Sequence, residues 1–343
     1  MRGMKVRQAV VMVGGMGTRL RPLTENKPKP MLSVADKPCI WYLMRSLARA
    51  GVEEVILACG YKPGMMESLG DGSDLGIKII YSYEDEPLGT AGAIKNVESR
   101  LDETFVAANG DIFADIDVGK EIETHFENNA SVTLALTPVE NPCEFGIARL
   151  DDSGRILEFK EKPKPEEVFS NLINAGIYIV QKSVLSKVPE GKFYDFSKDL
   201  IPVLMGEGKV IQSYILNGTW MDVGRPHELL EANLEVAQRE YGLKCWDTAV
   251  ECCVKGGFYV GPGASIVNST ASKTIVSRGS SVKDSNLDRV LLLNDCKVDG
   301  AKIKNSILGD GCTVGKGAEI SNAVLADNTV VKEGEKIEGD RIV

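Results

Sequence analysis

The last seventy residues set the tightest limit on the fold. Laid out sixteen to a row from Thr274, they read TIVSRGSSVKDSNLDR, VLLLNDCKVDGAKIKN, SILGDGCTVGKGAEIS and NAVLADNTVVKEGEKI. Val276, Leu292, Leu308 and Val324 share one column; Val282, Val298, Val314 and Val330 share another, six residues later in each row. An inward apolar residue at fixed spacing is what a solenoid requires, because each coil buries its face only against its neighbours. A parallel β-helix is therefore expected. A chance run of short strands in a sandwich would not keep two aliphatic columns in register over four rows.

Upstream the texture differs. From Val10 to about Leu204 short apolar runs (Val10–Val13, Val55–Ala58, Ile77–Tyr81, Thr104–Ala108) alternate with amphipathic stretches such as Ile40–Ala50, which Gly51 can stop. That alternation predicts a mostly parallel, Rossmann-like sheet covered by helices. Pro226 opens a further helix, Pro226–Tyr241, with Leu229, Leu230, Leu234 and Ala237 on one face and Gly242 as its stop. With 343 residues the chain exceeds what one core usually supports. Two domains are expected, 1–245 and 246–343, with the break near 243–256, where aromatic residues thin out.

The formal net charge is −9 and the basic residues are dispersed, so no nucleic-acid footprint is present. Runs such as Ala9–Val13 are too short for a membrane span, and the N-terminal run is too short for a signal peptide, which points to the cytoplasm. The eight cysteines contain no CxxC pair, so they read as small reduced core residues. His125 and His227 both lie in polar, helix-like segments, where a surface or half-buried place is expected; a histidine-based triad is poorly supported.

The strand at Val10–Val13 runs into Gly14-Gly15-Met16-Gly17-Thr18-Arg19-Leu20, then Arg21-Pro22-Leu23-Thr24 and Lys27-Pro28-Lys29-Pro30. Glycines after a strand let the backbone approach a ligand and turn N–H groups toward an anion. A Walker A loop would need GxxxxGK[ST], and a dinucleotide fingerprint a third glycine where Leu20 stands; both patterns fail. A tight turn would account for the glycines alone, but Arg19, Arg21, Lys27 and Lys29 together suit a triphosphate.

The run GGMGTRLRPLTENKPKPM resembles the signature of the sugar-phosphate nucleotidyltransferases. The resemblance implies that Gly14, Gly15, Gly17 and Thr18 wrap the triphosphate and that Arg19 and Lys29 hold its phosphates; Lys27 does not align and is expected in solvent. A second element is Asn109-Gly110-Asp111, a carboxylate after a short apolar strand, which by itself is equally ordinary turn chemistry. A third is Asp222 in Thr219-Trp220-Met221-Asp222-Val223-Gly224, which by itself could cap or turn the chain ahead of Pro226. Only the resemblance pairs Asp111 with Asp222, as ligands of Mg²⁺, a hard cation suited to few carboxylates supplemented by phosphate oxygens.

The resemblance extends to a sugar-phosphate pocket. Glu144-Phe145-Gly146, Glu161-Lys162-Pro163 and Asn174-Ala175-Gly176 match the family's, implying that Glu161 and Asn174 bond sugar hydroxyls, Gly146 admits the ring and Lys162 grips the phosphate. Glu161-Lys162 is otherwise an ordinary solvated pair. The segment Glu84 to Gly92 resembles the loop that reads the nucleobase, with Glu86, Gly89, Thr90 and Gly110 beside the nucleotide and Glu86 or Glu84 able to accept hydrogen bonds from guanine. Val13, EPLGTAG, SN-x-INAGIYI and WMDVGRP look most like family members using GTP and mannose 1-phosphate; uridylyl- and thymidylyltransferases acting on glucose 1-phosphate share most of the catalytic motifs.

The family's tail is a left-handed hexapeptide β-helix, with a coil slightly longer than sixteen residues, that commonly serves assembly and regulation. A homo-oligomer joined through it is implied. Bifunctional relatives carry an acetyltransferase there, but with a histidine on the β-helix, and no histidine follows His227. A non-catalytic regulatory subunit is the other reading, against which Arg19, Lys29, Asp111, Lys162 and Asp222 all stand intact.

Overall fold

A computed structural model describes residues 5–15, 17–60, 63–241, 249–250, 253–254, 258–339 and 341–342. The expected stop at Gly242 lies outside these residues, as does most of the expected boundary at 243–256. The chain forms two compact units: Met1–Gly15 with Ile40–Trp220, and Met16–Cys39 with Met221–Val343.

In the first unit the strands are β1 (Gln8–Met12), β2 (Glu54–Cys59), β3 (Lys78–Tyr83), β4 (Thr104–Asn109), β5 (Ile112–Ile116), β6 (Val132–Pro138), β7 (Gly146–Leu150), β8 (Ile156–Glu161), β9 (Leu172–Gln181) and β10 (Ile211–Ile215). The main sheet runs β8-β7-β9-β4-β1-β2-β3, and β6 joins β9 to β10. β1 is parallel to both β2 and β4, with Val10 opposite Ile56 on one side and Ala107 on the other. Burial on both faces explains why these strands read as unbroken aliphatic runs. The chain lays down β1, β2 and β3 in one direction and returns to the other flank of β1 with β4. That reversal makes the carboxyl ends of β1 and β4 a topological switch point, the usual crevice for a ligand.

Beyond β4 the sheet is mixed, with β6 and β10 still parallel. β9 is antiparallel to both β4 and β6, and β7 with β8 forms an antiparallel hairpin. The core below includes Val10, Ile56, Phe105, Leu134, Tyr178 and Phe196. Helix Cys39–Arg49 buries Ile40, Leu43, Met44 and Leu47, spaced as one helical face, and the chain turns away at Gly51 with φ of 89°. His125 departs from expectation: it is fully buried in helix Val118–Glu127, its Nδ1 2.9 Å from the Thr133 hydroxyl and its Nε2 3.0 Å from the Gln181 amide. Polar neighbours in the helix hid the one face that meets the sheet. His227 is exposed, as expected.

In the second unit parallel strands stack into a β-helix. Ile275, Leu291 and Ile307 are register partners sixteen residues apart, as are Val282, Val298 and Val314. The next coil takes seventeen: Leu308 pairs with Leu325 and Val314 with Val331. Val324 and Val330 therefore leave the expected columns, and Val330 is 67% exposed. The extra residue falls between Val314 and Ala318, since Ile303 already pairs with Ile320. Two aliphatic residues in a row, Val324-Leu325 and Val330-Val331, concealed the slip in the sequence. The corners take left-handed backbone at Asp284, Asp295, Asn305, Asn322 and Asn328, residue types that tolerate it, and Asn305 Nδ2 donates to Asn322 Oδ1 at 2.8 Å.

Helix Pro226–Tyr241 buries Leu229, Leu230 and Ala237 as expected, but Asn233 and Val236 occupy the face in place of Leu234, which is half-buried. Asn233 bonds Ser33 O at 3.1 Å and accepts from Ala35 N at 2.7 Å. Among the described residues no helix is long and apolar enough to cross a membrane.

Candidate active site

At the switch point of the first unit, β1 ends at Met12 and Val13 leads into Gly14 and Gly15, both exposed. A side chain at Gly14 would meet the Gly60 backbone, and one at Gly15 would come within 3.9 Å of Asp111 Oδ2. β4 ends beside β1, Asn109 opposite Met12, and Gly110 N donates to Met12 O at 2.8 Å. A Cβ on Gly110 would lie 2.5 Å from Val13 Cγ1, so only glycine brings the Asp111 turn this close to the first loop. The structure thus gathers Gly14, Gly15, Gly110 and Asp111.

The second unit holds the cationic half of the loop. Gly17 has φ of 59°, and its carbonyl accepts from Thr24 Oγ1 at 2.8 Å. Short 3₁₀ turns at Thr18–Leu20 and Lys29–Met31 follow, leaving Thr18 and Arg19 exposed and Lys29 only 5% exposed. Lys29 Nζ donates to Asp222 Oδ1 at 3.1 Å, and Arg19 Nη2 lies 3.8 Å from Asp222 Oδ2. Gly224 makes this possible, since a Cβ there would sit 2.8 Å from the Arg19 guanidinium. Thr24 and Gly224 lie inside motifs quoted above, but nothing local distinguished them.

Lys27 corrects an expectation. It is not in solvent: its ammonium pairs with Asp310, and with Asp327 at 3.4 Å, and its side chain is 14% exposed.

Back in the first unit, the proposed base-reading loop separates its two carboxylates. Glu84, at the end of β3, accepts from Leu88 N at 3.1 Å and lies against Gly60, while Glu86 is exposed. Burial raises the Glu84 carboxyl above its ordinary range, more than the Leu88 hydrogen bond lowers it. Gly89, with φ of 71°, and Gly92 let the 192–194 backbone approach, and Tyr194 O accepts from Ala91 N and Gly92 N at 3.0 Å. Thr90 Oγ1 donates to Asp195 Oδ2 at 3.1 Å and accepts from Phe196 N at 2.7 Å. Thr90 therefore docks a loop that the sequence did not single out.

The sugar-motif residues converge at one end of β7, β8 and β9. Glu161 pairs across strands with Gly146, and a Cβ on Gly146 would lie 2.6 Å from the Glu161 carboxylate and 2.5 Å from Phe159. Lys162 follows in left-handed backbone, φ 46°, its N–H held by Phe145 O at 2.9 Å, a conformation rare for lysine and often found at functional positions. Burial and the Asp195 charge push the Glu161 carboxyl up; Lys162 opposes them. Asn174 donates to Tyr178 Oη and Ser197 Oγ and accepts from Gly176 N, so its amide is anchored on both sides.

β9 bulges between Asn174 and Tyr178, and Gly176, with φ of 76°, leaves its missing side chain's space to Asn109. Trp220 Nε1 bonds Ala175 O at 2.9 Å, and its ring meets Phe145 edge-on at 5.9 Å. Phe145, inside the motif quoted in the sequence analysis, Asp195 and Ser197 complete this cluster, and nothing in the sequence announces the last two.

Taken separately, each candidate ligand is a hard oxygen donor of the kind Mg²⁺ takes: Asp222 is a carboxylate paired with two cations in the second unit, and Asp111 in the first unit follows Gly110 with its Oδ2 facing Gly15.

A sequence model described as nucleotidyl transferase matches residues 8–239, and one described as GlmU-like C-terminal hexapeptide matches residues 262–342. The chain is 35% identical, over 85% of its length and 81% of the relative's, to a mannose-1-phosphate guanylyltransferase of Mycobacterium tuberculosis. A UTP–glucose-1-phosphate uridylyltransferase of Synechocystis is 33% identical over 68% of this chain and 64% of its own. The solved structure of HddC from Yersinia pseudotuberculosis complexed with GMP-PN superposes with a TM-score of 0.58 at 28% identity, over 67% of this chain and 99% of that one.

Proposed function

The chain belongs to the nucleotidyl transferase family, and from that premise we propose that it transfers a guanylyl group from GTP to mannose 1-phosphate, releasing pyrophosphate. The observation that carries the reading is the buried Lys29, fixed 3.1 Å from Asp222 on a glycine-led loop that also presents Arg19.

The reaction is an in-line attack of a sugar-phosphate oxygen on the α-phosphorus. Two anions must meet, so alignment and charge neutralisation carry the catalysis, with neither a covalent intermediate nor a general base. Lys162 holds the incoming phosphate, with its orientation set by the Phe145 carbonyl. Arg19 and Lys29 hold the departing pyrophosphate, and the glycine N–H groups bind the remaining phosphate oxygens. Glu161 and Asn174 orient the sugar, Asn174 through an amide already fixed by Ser197 and Tyr178. Mg²⁺, assigned to Asp111 and Asp222, supplies further neutralisation of phosphate charge when bound.

Guanine is favoured over uracil by Glu84, whose carboxylate lies beside Gly60 at the loop mouth and suits the paired N1–H and amine of guanine. The mannose-1-phosphate guanylyltransferase relative supports the sugar and base; the uridylyltransferase relative keeps UTP with glucose 1-phosphate as the second reading. Self-association through the β-helix and a cytoplasmic location belong to the same proposal. The deciding experiment is a matrix of nucleoside triphosphates against sugar 1-phosphates, scored for pyrophosphate with Mg²⁺ and with chelator. Highest kcat/KM for GTP with mannose 1-phosphate is expected; preference for UTP with glucose 1-phosphate selects the second reading, and no pyrophosphate from any pair rejects both.

A further inference from the structure

Lys27 stands two residues before Lys29 in a stiff Lys-Pro-Lys-Pro run, yet its charge is already committed. Its ammonium pairs with Asp310 and, at 3.4 Å, with Asp327. Those two carboxylates belong to successive coils of the β-helix and are themselves tied, Asp310 N donating to Asp327 Oδ1 at 2.9 Å. One coil earlier Asn294 continues the column. Its backbone N–H and its side-chain amide both donate to Asp310 Oδ1, at 2.9 and 3.1 Å, and the same amide reaches Ser33 Oγ at 3.3 Å.

The column Asn294, Asp310, Asp327 therefore grips the loop at Lys27 and again at Ser33, on either side of Lys29. Between those grips Pro28 and Pro30 fix two backbone angles, leaving little freedom in how Lys29 is presented. A lysine matched by two carboxylates is a poor ligand for a phosphate, because binding one would strip it from both, leaving Asp327, only 11% exposed, uncompensated.

We propose that Lys27 is a positioning residue and that this corner of the β-helix sets the geometry of the phosphate loop, so that triphosphate binding depends on the tail. The inference rests on the reading in which Lys29 holds phosphate. It also gives the Asn and Asp side chains of this corner a task beyond closing the coil.

The test uses the full chain with Lys27→Met, Lys27→Arg and Asp310→Asn, measuring steady-state kinetics for both substrates, calorimetric binding of a non-hydrolysable GTP analogue, and thermal unfolding. Lys27→Met and Asp310→Asn should raise the KM for triphosphate and the Kd for the analogue about tenfold, leaving the KM for mannose 1-phosphate within about twofold; a tenfold change is about 1.4 kcal/mol. Lys27→Arg should restore analogue binding. Analogue binding unchanged in Lys27→Met, or equal weakening toward both substrates, overturns the inference. Should Lys27→Met fail to fold, Asp310→Asn, at a more exposed carboxylate, decides by the same criteria. A wild-type chain that binds no analogue strikes the reading of Lys29 itself, an outcome distinct from variants that bind as tightly as wild type.

Discussion

Lys29 Nζ lies 3.1 Å from Asp222 Oδ1, and Arg19 stands 3.8 Å from the other oxygen of the same carboxylate. One acidic side chain thereby pairs with both Arg19 and Lys29, the two cations proposed to hold phosphate.

Removing one electrostatic partner of a transferring phosphoryl group typically costs about 3–4 kcal/mol of transition-state stabilisation. Lys29→Ala, Arg19→Ala and Asp111→Ala should each lower turnover about a hundredfold or more. Pyrophosphate release by the folded variants checks this, and near wild-type turnover in any one removes that residue from its assigned role.

Glu84→Gln should lower the ratio of kcat/KM for GTP to that for UTP, because a carboxylate accepts from both guanine donors whereas an amide presents one acceptor. Glu86, exposed at the same loop, should tolerate Gln with the ratio unchanged. A ratio insensitive to Glu84→Gln assigns base reading to other groups.

Register in the last coils is decided by a single residue. Val330→Asp should change the melting temperature little, since that side chain is 67% exposed, whereas Val331→Asp places a carboxylate in the β-helix interior and should unfold the tail. Circular dichroism melts distinguish them, and equal tolerance of both would contradict the seventeen-residue coil.

Helix Val118–Glu127 carries two buried titrating groups of opposite sense. Burial pushes His125 down from 6.5 to about 4, so between those values the unfolded chain binds more protons. Its contribution to stability is complete above about 6.5 and lost as pH falls toward about 4. Burial raises the Glu121 carboxyl well above its ordinary value of 4.5, so its contribution is complete below that value and lost as pH rises through the raised one. Glu121→Gln should therefore flatten the alkaline side of a denaturation profile, and His125→Gln the acid side. Profiles unaltered by these substitutions would show that neither group titrates differently on folding.

The β-helix was legible because its signal is local and repeated: an aliphatic residue every coil, Asn, Asp or Gly at the corners. The glycine loop was legible because a strand, glycines and cations lie within a couple of dozen residues. What the tertiary structure alone decided are relationships between distant segments. The bulge at Gly176 that receives Asn109, the docking of Thr90 on Asp195, the contact of buried His125 with Gln181 and the grip of Asp310 and Asp327 on Lys27 join residues 50 to 300 apart in sequence. The antiparallel place of β9 and the one-residue slip at Val330 belong with them. The reason is common to all: periodicity states which face of a segment is apolar, whereas the partner that meets that face is chosen by packing and charge pairing across the folded chain.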